Sequence, residues 1–481
     1  MKGCTFTALK KNRHIVLENL VVDDYAAEGK SLAKLNGKIV FIENVVPGDV
    51  VDVRLLKNKK DWAEGYPIHF HSFSSERVSP FCQHFGVCGG CQWQMLPYQK
   101  QLEYKHKQVF DNLTRIGKIP LPEMLPIIGA EEDKFYRNKL EYTFSTKAFF
   151  PAGVFKKEDK QSSFQNVVGF HAKGFFDKIV DIKKCWLQND LTNEIRNAIR
   201  EFAFENKFSF YDIKNHKGLL RTMQVRICET GEVMLNIVFG EKNDQQQNLL
   251  LNFIRGNFPQ ITTLLYTINL KMNDSMHDLE PNIFFGKGYV VEKLEDFLFK
   301  IGATSFFQTN TRQAENLYRV TREFAELNGT QTVYDLYCGT GSIGIFCSRN
   351  AKKIIGVDVT EAAIRDSREN AEINAIDHSI FISGDVIDIC TTDFFNTQGK
   401  PDVIITDPPR AGMHEKLIRK ILEIEAPLLV YVSCNPATQA RDLALLNEKY
   451  DVTKVQPVDM FPHTHHIENI VQAKLKTKTN E

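Results

Sequence analysis

The 481-residue sequence has no apolar run approaching the length a bilayer crossing needs. Its first thirteen residues are polar and basic with no apolar stretch behind them, so a secretory signal is not expected either. Net charge is also absent: 60 Lys and Arg balance 60 Asp and Glu, which removes global attraction as an argument for a polyanionic partner. There is no internal repeat, which excludes solenoids and propellers. Apolar residues at 43% and charged residues at 25% are ordinary globular values, so extensive disorder is excluded as well. The expectation is a cytoplasmic protein with no membrane partner and no obligate protein partner. There the ten cysteines serve as thiols or metal ligands rather than disulfides.

A chain this long needs two to four cores. The first 190 residues hold 28 basic against 22 acidic side chains. Local clusters say more than that bias: Arg54, Lys57, Lys59 and Lys60, then Lys134, Arg137 and Lys139, suit phosphate contacts. From about Arg13 to Ser75 short alternating strands are separated by turns such as Pro47-Gly48-Asp49, which predicts a small OB-like β-barrel over residues 8–76. A cysteine-rich segment (77–110) follows, with helical spacing beginning at Tyr98, and then a central α+β region (111–300). From Val333 buried strands alternate with helices, which predicts an α/β domain over 301–476 with a Rossmann-like, doubly wound, mostly parallel sheet.

Cys82, Cys88 and Cys91 are compactly spaced, and Gly89-Gly90 allows the tight backbone that lets neighbouring thiolates converge; Cys185 is a candidate fourth ligand. Four thiolates serve a tetrahedral zinc or a [4Fe–4S] cluster, and spacing alone leaves both open. Radical S-adenosylmethionine chemistry is excluded, because the first gap is five residues rather than three.

Gly339-x-Gly341-x-x-Gly344 follows a strand and opens a helix, with Asp358 ending the next strand, which satisfies the dinucleotide fingerprint literally. An NAD-dependent oxidoreductase is therefore one reading. Against it, Asp335 stands just ahead of the glycines. A carboxylate there suits S-adenosylmethionine, which carries an ammonium and a sulfonium and no pyrophosphate. Asp358 would hold ribose hydroxyls in either case, and Asp385 is placed for the adenine amino group. Asp407-Pro408-Pro409-Arg410 forms a rigid rim at the carboxyl edge of the sheet, where such folds bind ligands.

Cys434, in Ser433-Cys434-Asn435-Pro436, directly follows a buried strand and opens a polar turn. A thiolate there is the right nucleophile for C6 of a pyrimidine, a soft conjugate-addition centre. Addition makes C5 able to take a methyl group, after which a base must remove the C5 proton. Glu468 is the candidate base, with His463, His465 and His466 as rivals on pKa grounds. Gln308, in Phe306-Phe307-Gln308-Thr309-Asn310, could close over the cofactor, and Phe306 could stack on a base.

Those motifs, with Met460-Phe-Pro-His-Thr-x-His-Ile-Glu468, resemble the RNA uracil-5 methyltransferase family over about residues 13–475. Ala27-Glu-Gly-Lys, Val40-Phe-Ile and Val46-Pro-Gly-Asp resemble the TRAM domain, an RNA-binding barrel. With barrel and cysteine cluster together, the chain is most similar to the 23S ribosomal RNA branch, since the transfer RNA branch is expected to lack both. The resemblance implies S-adenosylmethionine as methyl donor and RNA as partner. It implies Cys434 as nucleophile, Glu468 as base, and cofactor contacts at Gln308, Tyr337, Ser342, Asp358, Asp385 and Asp407. It further implies a [4Fe–4S] cluster on Cys82, Cys88, Cys91 and Cys185. Asp358 stands where the common pattern has a glutamate, and Tyr337 where it has a phenylalanine. The rival is an RNA cytosine-5 methyltransferase, which carries a second cysteine where this chain has Pro408-Pro409-Arg410. A DNA cytosine enzyme places its nucleophile in that same motif, and a non-catalytic assembly factor would be expected to have a degenerate site.

Overall fold

The computed structural model describes residues 15–150, 166–276 and 278–477; the expected start of the barrel segment, residues 8–14, lies outside the described residues. Period-2 alternation builds six strands: β1 (Val16–Val21), β2 (Asp24–Tyr25), β3 (Ser31–Leu35), β4 (Lys38–Ile42), β5 (Val50–Asn58) and β6 (Trp62–Ser72). They pair in the order β1-β5-β6-β4-β3-β2. The two edge strands are consecutive on the chain. Val22 N–H donates to Asp49 O and Asp23 N–H to Leu32 O, so one segment joins both edges and the sheet curls round Leu17, Val40, Ile42, Val51 and Val53. The Pro47-Gly48-Asp49 turn is fixed by the buried Asp49 carboxylate, which accepts from Val46 N–H and Ser74 N–H and pairs with Arg77 at 2.6 Å.

After the cysteine segment comes α1 (Tyr98–Asn112). The central region is a seven-stranded sheet of β7 (Lys139–Ser145), β8 (Val167–His171), β9 (Ile179–Asp181), β10 (Leu220–Ile227), β11 (Val233–Phe239), β12 (Thr263–Ile268) and β13 (Asn282–Phe285), with α2 (Asp190–Glu205) and α3 (Asp244–Asn257). Its order is β13-β12-β11-β10-β7-β8-β9, antiparallel except between β11 and β12. A hairpin, β14 (Val290–Leu294) and β15 (Phe297–Ile301), packs its apolar side into the core of the last domain, beside Phe307 and Phe346.

That last domain holds β16 (Thr332–Leu336), β17 (Lys353–Asp358), β18 (Ser379–Ser383), β19 (Val403–Thr406), β20 (Leu428–Ser433), β21 (Tyr450–Val458) and β22 (Glu468–Leu475). Its helices are α4 (Thr311–Phe324), α5 (Ser342–Cys347), α6 (Glu361–Ile373), α7 (Val386–Ile389), α8 (Thr392–Gln398), α9 (Glu415–Ile424) and α10 (Pro436–Leu446). The strand order is β18-β17-β16-β19-β20-β22-β21, with the first five parallel and β22 antiparallel to both its neighbours. Alternate strand residues feed two separate cores: Val333, Ile354, Ile405 and Val430 on one face, Tyr334, Ile355, Ile404 and Leu429 on the other. That is why these strands read as unbroken apolar runs. Strand order reverses between β16 and β19, which opens a crevice at the carboxyl edge of the sheet. Among the described residues no helix is long and apolar enough to cross a membrane.

Candidate active site

The register of the sheet assembles the site. β16 lies beside β17 with Leu336 opposite Val357, which sets Tyr337 next to Asp358 at the same edge. Leu336 opposite Thr406 sets Asp407 on the other side of the crevice. The antiparallel ladder ends at Ser433 opposite Asn469, so Cys434 and Glu468 come together just beyond its last pair, close enough for the Glu468 charge to act on the thiol. Cys434, Glu468, Asp407, Tyr337 and Asp358 therefore converge on one rim.

The glycine turn is shaped for a ligand. Tyr337 has φ 62° and Gly339 and Gly341 have φ 53° and 76°, a left-handed run that wraps the chain from β16 into α5. A Cβ on Gly341 would strike Ser367 and Phe381 within 3.0 Å, whereas one on Gly339 would meet nothing within 4 Å, so the turn faces open space there. Asp358 braces the turn by accepting from Gly339 N–H at 3.0 Å and Thr360 N–H at 2.8 Å. Asp385 caps α7 through Ile387 N–H at 2.8 Å, and lone pairs on both carboxylates remain for a ligand. Ser342 Oγ lies 2.9 Å from Tyr318 Oη on α4, and Gln308 is buried in the loop leading into that helix. Asp335 is fully buried: Oδ2 accepts from Gly344 N–H at 2.8 Å, while Oδ1 has no partner. An orphaned carboxylate oxygen beside an open glycine turn fits a cationic ligand such as the ammonium of S-adenosylmethionine.

Burial dominates the electrostatics. It pushes the Asp335 carboxyl up to about 7, helped by the Asp407 and Asp358 charges, and Asp407 also up to about 7. Glu468 is raised well above the usual carboxylate range by burial and then by Asp407, with Arg410 opposing. The half-buried Cys434 thiol is raised to about 11 by burial, then by Glu468 and Asp407, and Arg410 is the side chain that counteracts them. The loop bearing Arg410 is bolted to the start of α10, the helix that follows Cys434: Asn435 Nδ2 and Thr438 Oγ1 donate to Arg410 O at 3.0 and 3.2 Å. The rival histidines are poor proton acceptors. Burial lowers His463, and it lowers His465 and His466 to about 4 and 3. Glu468 is the base candidate whose proton affinity is raised rather than lowered.

Residues that the motifs did not reveal hold the loop ahead of Glu468. Lys105 on α1 pairs with Asp459 at 2.6 Å, both fully buried, and Tyr98 Oη donates to the same carboxylate at 2.9 Å. Gln92 and Trp93 N–H donate to His463 O, and Asn310 Nδ2 donates to Met460 O at 2.9 Å. None of these spacings carries a chemical signature; an amphipathic helix such as α1 looks the same with or without a buried lysine.

The structure gathers the four cysteines into one place. Cys82, Cys88, Cys91 and Cys185 line a cavity of about 220 Å³ with Arg137, Trp186 and Leu187. All four are free thiols, raised by burial, with Cys88 and Cys91 reaching about 12. Among the described residues no three His, Cys, Asp or Glu side chains are arranged to hold a metal ion.

Comparison with known proteins gives a consistent neighbourhood. The family described as tRNA (uracil-5-)-methyltransferase matches residues 252–476. A Bacteroides thetaiotaomicron protein named as an uncharacterized RNA methyltransferase is 52% identical over 94% of this chain and all of its own length. A Porphyromonas gingivalis protein of the same description is 46% identical over 94% of this chain and 98% of its own. Among solved structures, the Pyrococcus abyssi tRNA (uracil-54, C5)-methyltransferase in complex with S-adenosyl-L-homocysteine superposes with a TM-score of 0.73 at 28% identity, covering 95% of this chain and 100% of that one.

Proposed function

Because this chain belongs to the RNA uracil-5 methyltransferase family and depends on S-adenosylmethionine, we propose that it methylates C5 of a uridine in 23S ribosomal RNA, in the cytoplasm, with Cys434 as nucleophile and Glu468 as base. The observation that supports the mechanism is the ladder that ends at Ser433 opposite Asn469 and so brings Cys434 and Glu468 together at the crevice mouth. The Cys434 thiolate adds to C6 of the uracil, and the electron pair displaced onto C5 takes the sulfonium methyl, leaving S-adenosylhomocysteine. Glu468 then accepts the C5 proton, the C5–C6 double bond re-forms, and the C6–S bond breaks to return the thiolate. Arg410 offsets the charge of the thiolate and of the ionised base. Gln308, Tyr337, Ser342, Asp358, Asp385 and Asp407 would bind and orient the cofactor. The pyrimidine must leave its stack to reach a thiol recessed at the rim, so loops and bulges are the expected substrates.

Cys82, Cys88, Cys91 and Cys185 would hold a [4Fe–4S] cluster, which cross-links the cysteine segment to the central region. The four thiols line one cavity of about 220 Å³, which supports a shared ligand set, and the family resemblance favours the cluster over a lone zinc ion. The barrel, read as a TRAM domain, supplies Arg54, Lys57, Lys59 and Lys60 to the RNA backbone. A transfer RNA substrate is the second reading, favoured by the match to the archaeal uracil-54 enzyme over its whole length. Mapping 5-methyluridine in ribosomal and transfer RNA from cells with and without the protein decides between them; loss from neither pool overturns both.

A further inference from the structure

Asn138 is buried at the end of the segment that leads into β7, and all of its hydrogen-bonding groups are engaged. Its backbone N–H donates to Thr309 O at 2.8 Å. Its side-chain Nδ2 donates to Gln308 O at 3.0 Å and to Thr311 Oγ1 at 2.9 Å. Its Oδ1 accepts from Arg226 Nη1 at 3.2 Å. Its carbonyl accepts from Ile227 N–H at 2.8 Å and Gln188 Nε2 at 3.0 Å. Thr311 passes the chain on, donating to the buried Glu292 at 2.8 Å. Asn138 thus grips the loop that presents Gln308 at three points, Gln308 and Thr311 through its side chain and Thr309 through its backbone, while Asn310 in that loop donates to Met460 O in the loop ahead of Glu468.

We propose that Asn138 is a positioning residue for cofactor binding: it fixes the backbone of Gln308 to Thr311, and so the aim of Gln308, from outside the methyltransferase domain. This rests on reading Gln308 as a cofactor contact. The chemistry specifies an amide. Nδ2 faces three oxygens, of Gln308, Thr311 and, at 3.5 Å, Glu292, and Oδ1 faces a guanidinium, so an aspartate would set a carboxylate oxygen against Gln308 O, and an alanine would strand buried acceptors. The same residue also joins the loop to the segment after Cys185 through Gln188, beside which Phe135 and Arg137 N–H donate to Trp186 O and Leu187 O, both at 2.7 Å.

The test is calorimetric titration of the full-length protein with S-adenosylhomocysteine, beside initial rates with saturating RNA. Asn138→Ala should weaken cofactor binding about tenfold and raise the cofactor KM alike, with kcat at saturating cofactor within about twofold. In a Gln308→Ala background the same change should add little, because its effect runs through Gln308. Asn236→Ala on β11 removes another buried amide, which accepts from Thr267 Oγ1 at 3.1 Å but does not touch the loop; it should lower Tm and leave cofactor affinity unchanged. If Asn138→Ala does not fold, Thr311→Val takes its place with the same expected direction and Thr311→Ser as the rescue. Unchanged affinity in a folded Asn138 or Thr311→Val variant overturns the proposal. Failure of the parent protein to bind S-adenosylhomocysteine overturns the reading of Gln308 instead.

Discussion

Cofactor binding should be linked to a proton. Asp335 is wholly buried, one of its oxygens lacks a partner, and its carboxyl is raised to about 7 by burial and then by Asp407 and Asp358. A ligand ammonium is drawn to the ionised form, so the group must lose a proton to bind well. With a single carboxyl near 7, the apparent dissociation constant scales as one plus ten to the power (pKa − pH). It should rise about twofold from pH 8 to pH 7 and about 100-fold from pH 8 to pH 5. The sign also governs the ligand-free fold. A carboxyl whose folded pKa is raised favours folding below its unfolded value near 4, and that contribution is lost as pH climbs through 7. The ligand-free protein should therefore be more stable toward pH 5 than pH 8 on this account, and S-adenosylhomocysteine should narrow the difference. Titration in buffers of different ionisation enthalpy should detect release of close to one proton near pH 6. Asp335→Asn should abolish that release. Affinity flat to within threefold from pH 5 to pH 8 would refute the reasoning, as would proton uptake.

Glu468→Gln should add to RNA and accept the methyl group but stall before elimination, so a covalent protein–RNA band should survive denaturing electrophoresis; normal turnover in that variant would move the base elsewhere. Lys105→Met should lower stability by about 3–5 kcal/mol in chemical denaturation, because Asp459 is left charged and buried with only Tyr98 and Phe461 N–H to hold it. Cys185→Ser should reduce iron content and visible absorbance of anaerobically purified protein together, and lower its Tm; retention of full iron would remove Cys185 from the ligand set.

The catalytic domain was legible because its constraints are local: a carboxylate ahead of a glycine turn, two prolines at a strand end, a cysteine after a buried strand. The four cysteines do line one cavity; spacing singled out Cys82, Cys88 and Cys91, whereas Cys185, far along the chain, entered only as a candidate that the family resemblance implies. What sequence did not convey is what holds those parts together. Asn138, Lys105, Tyr318 and Asp459 act through contacts between residues as many as 361 positions apart, and the residue type at either end alone is unremarkable. The barrel was legible too, because its strands follow from alternation and turns, but nothing in that pattern names the RNA it binds.

The central claim, that the Cys434 sulfur bonds to C6 of a uracil in RNA, has a direct test. RNA carrying 5-fluorouridine can be methylated but has no C5 proton to surrender, so the adduct should persist. Peptide mass spectrometry after incubation with S-adenosylmethionine should find a methylated fluorouridine on the peptide containing Cys434, and on no other cysteine. A trapped nucleotide on a different residue, or methylation of ordinary RNA by Cys434→Ala, would contradict the account.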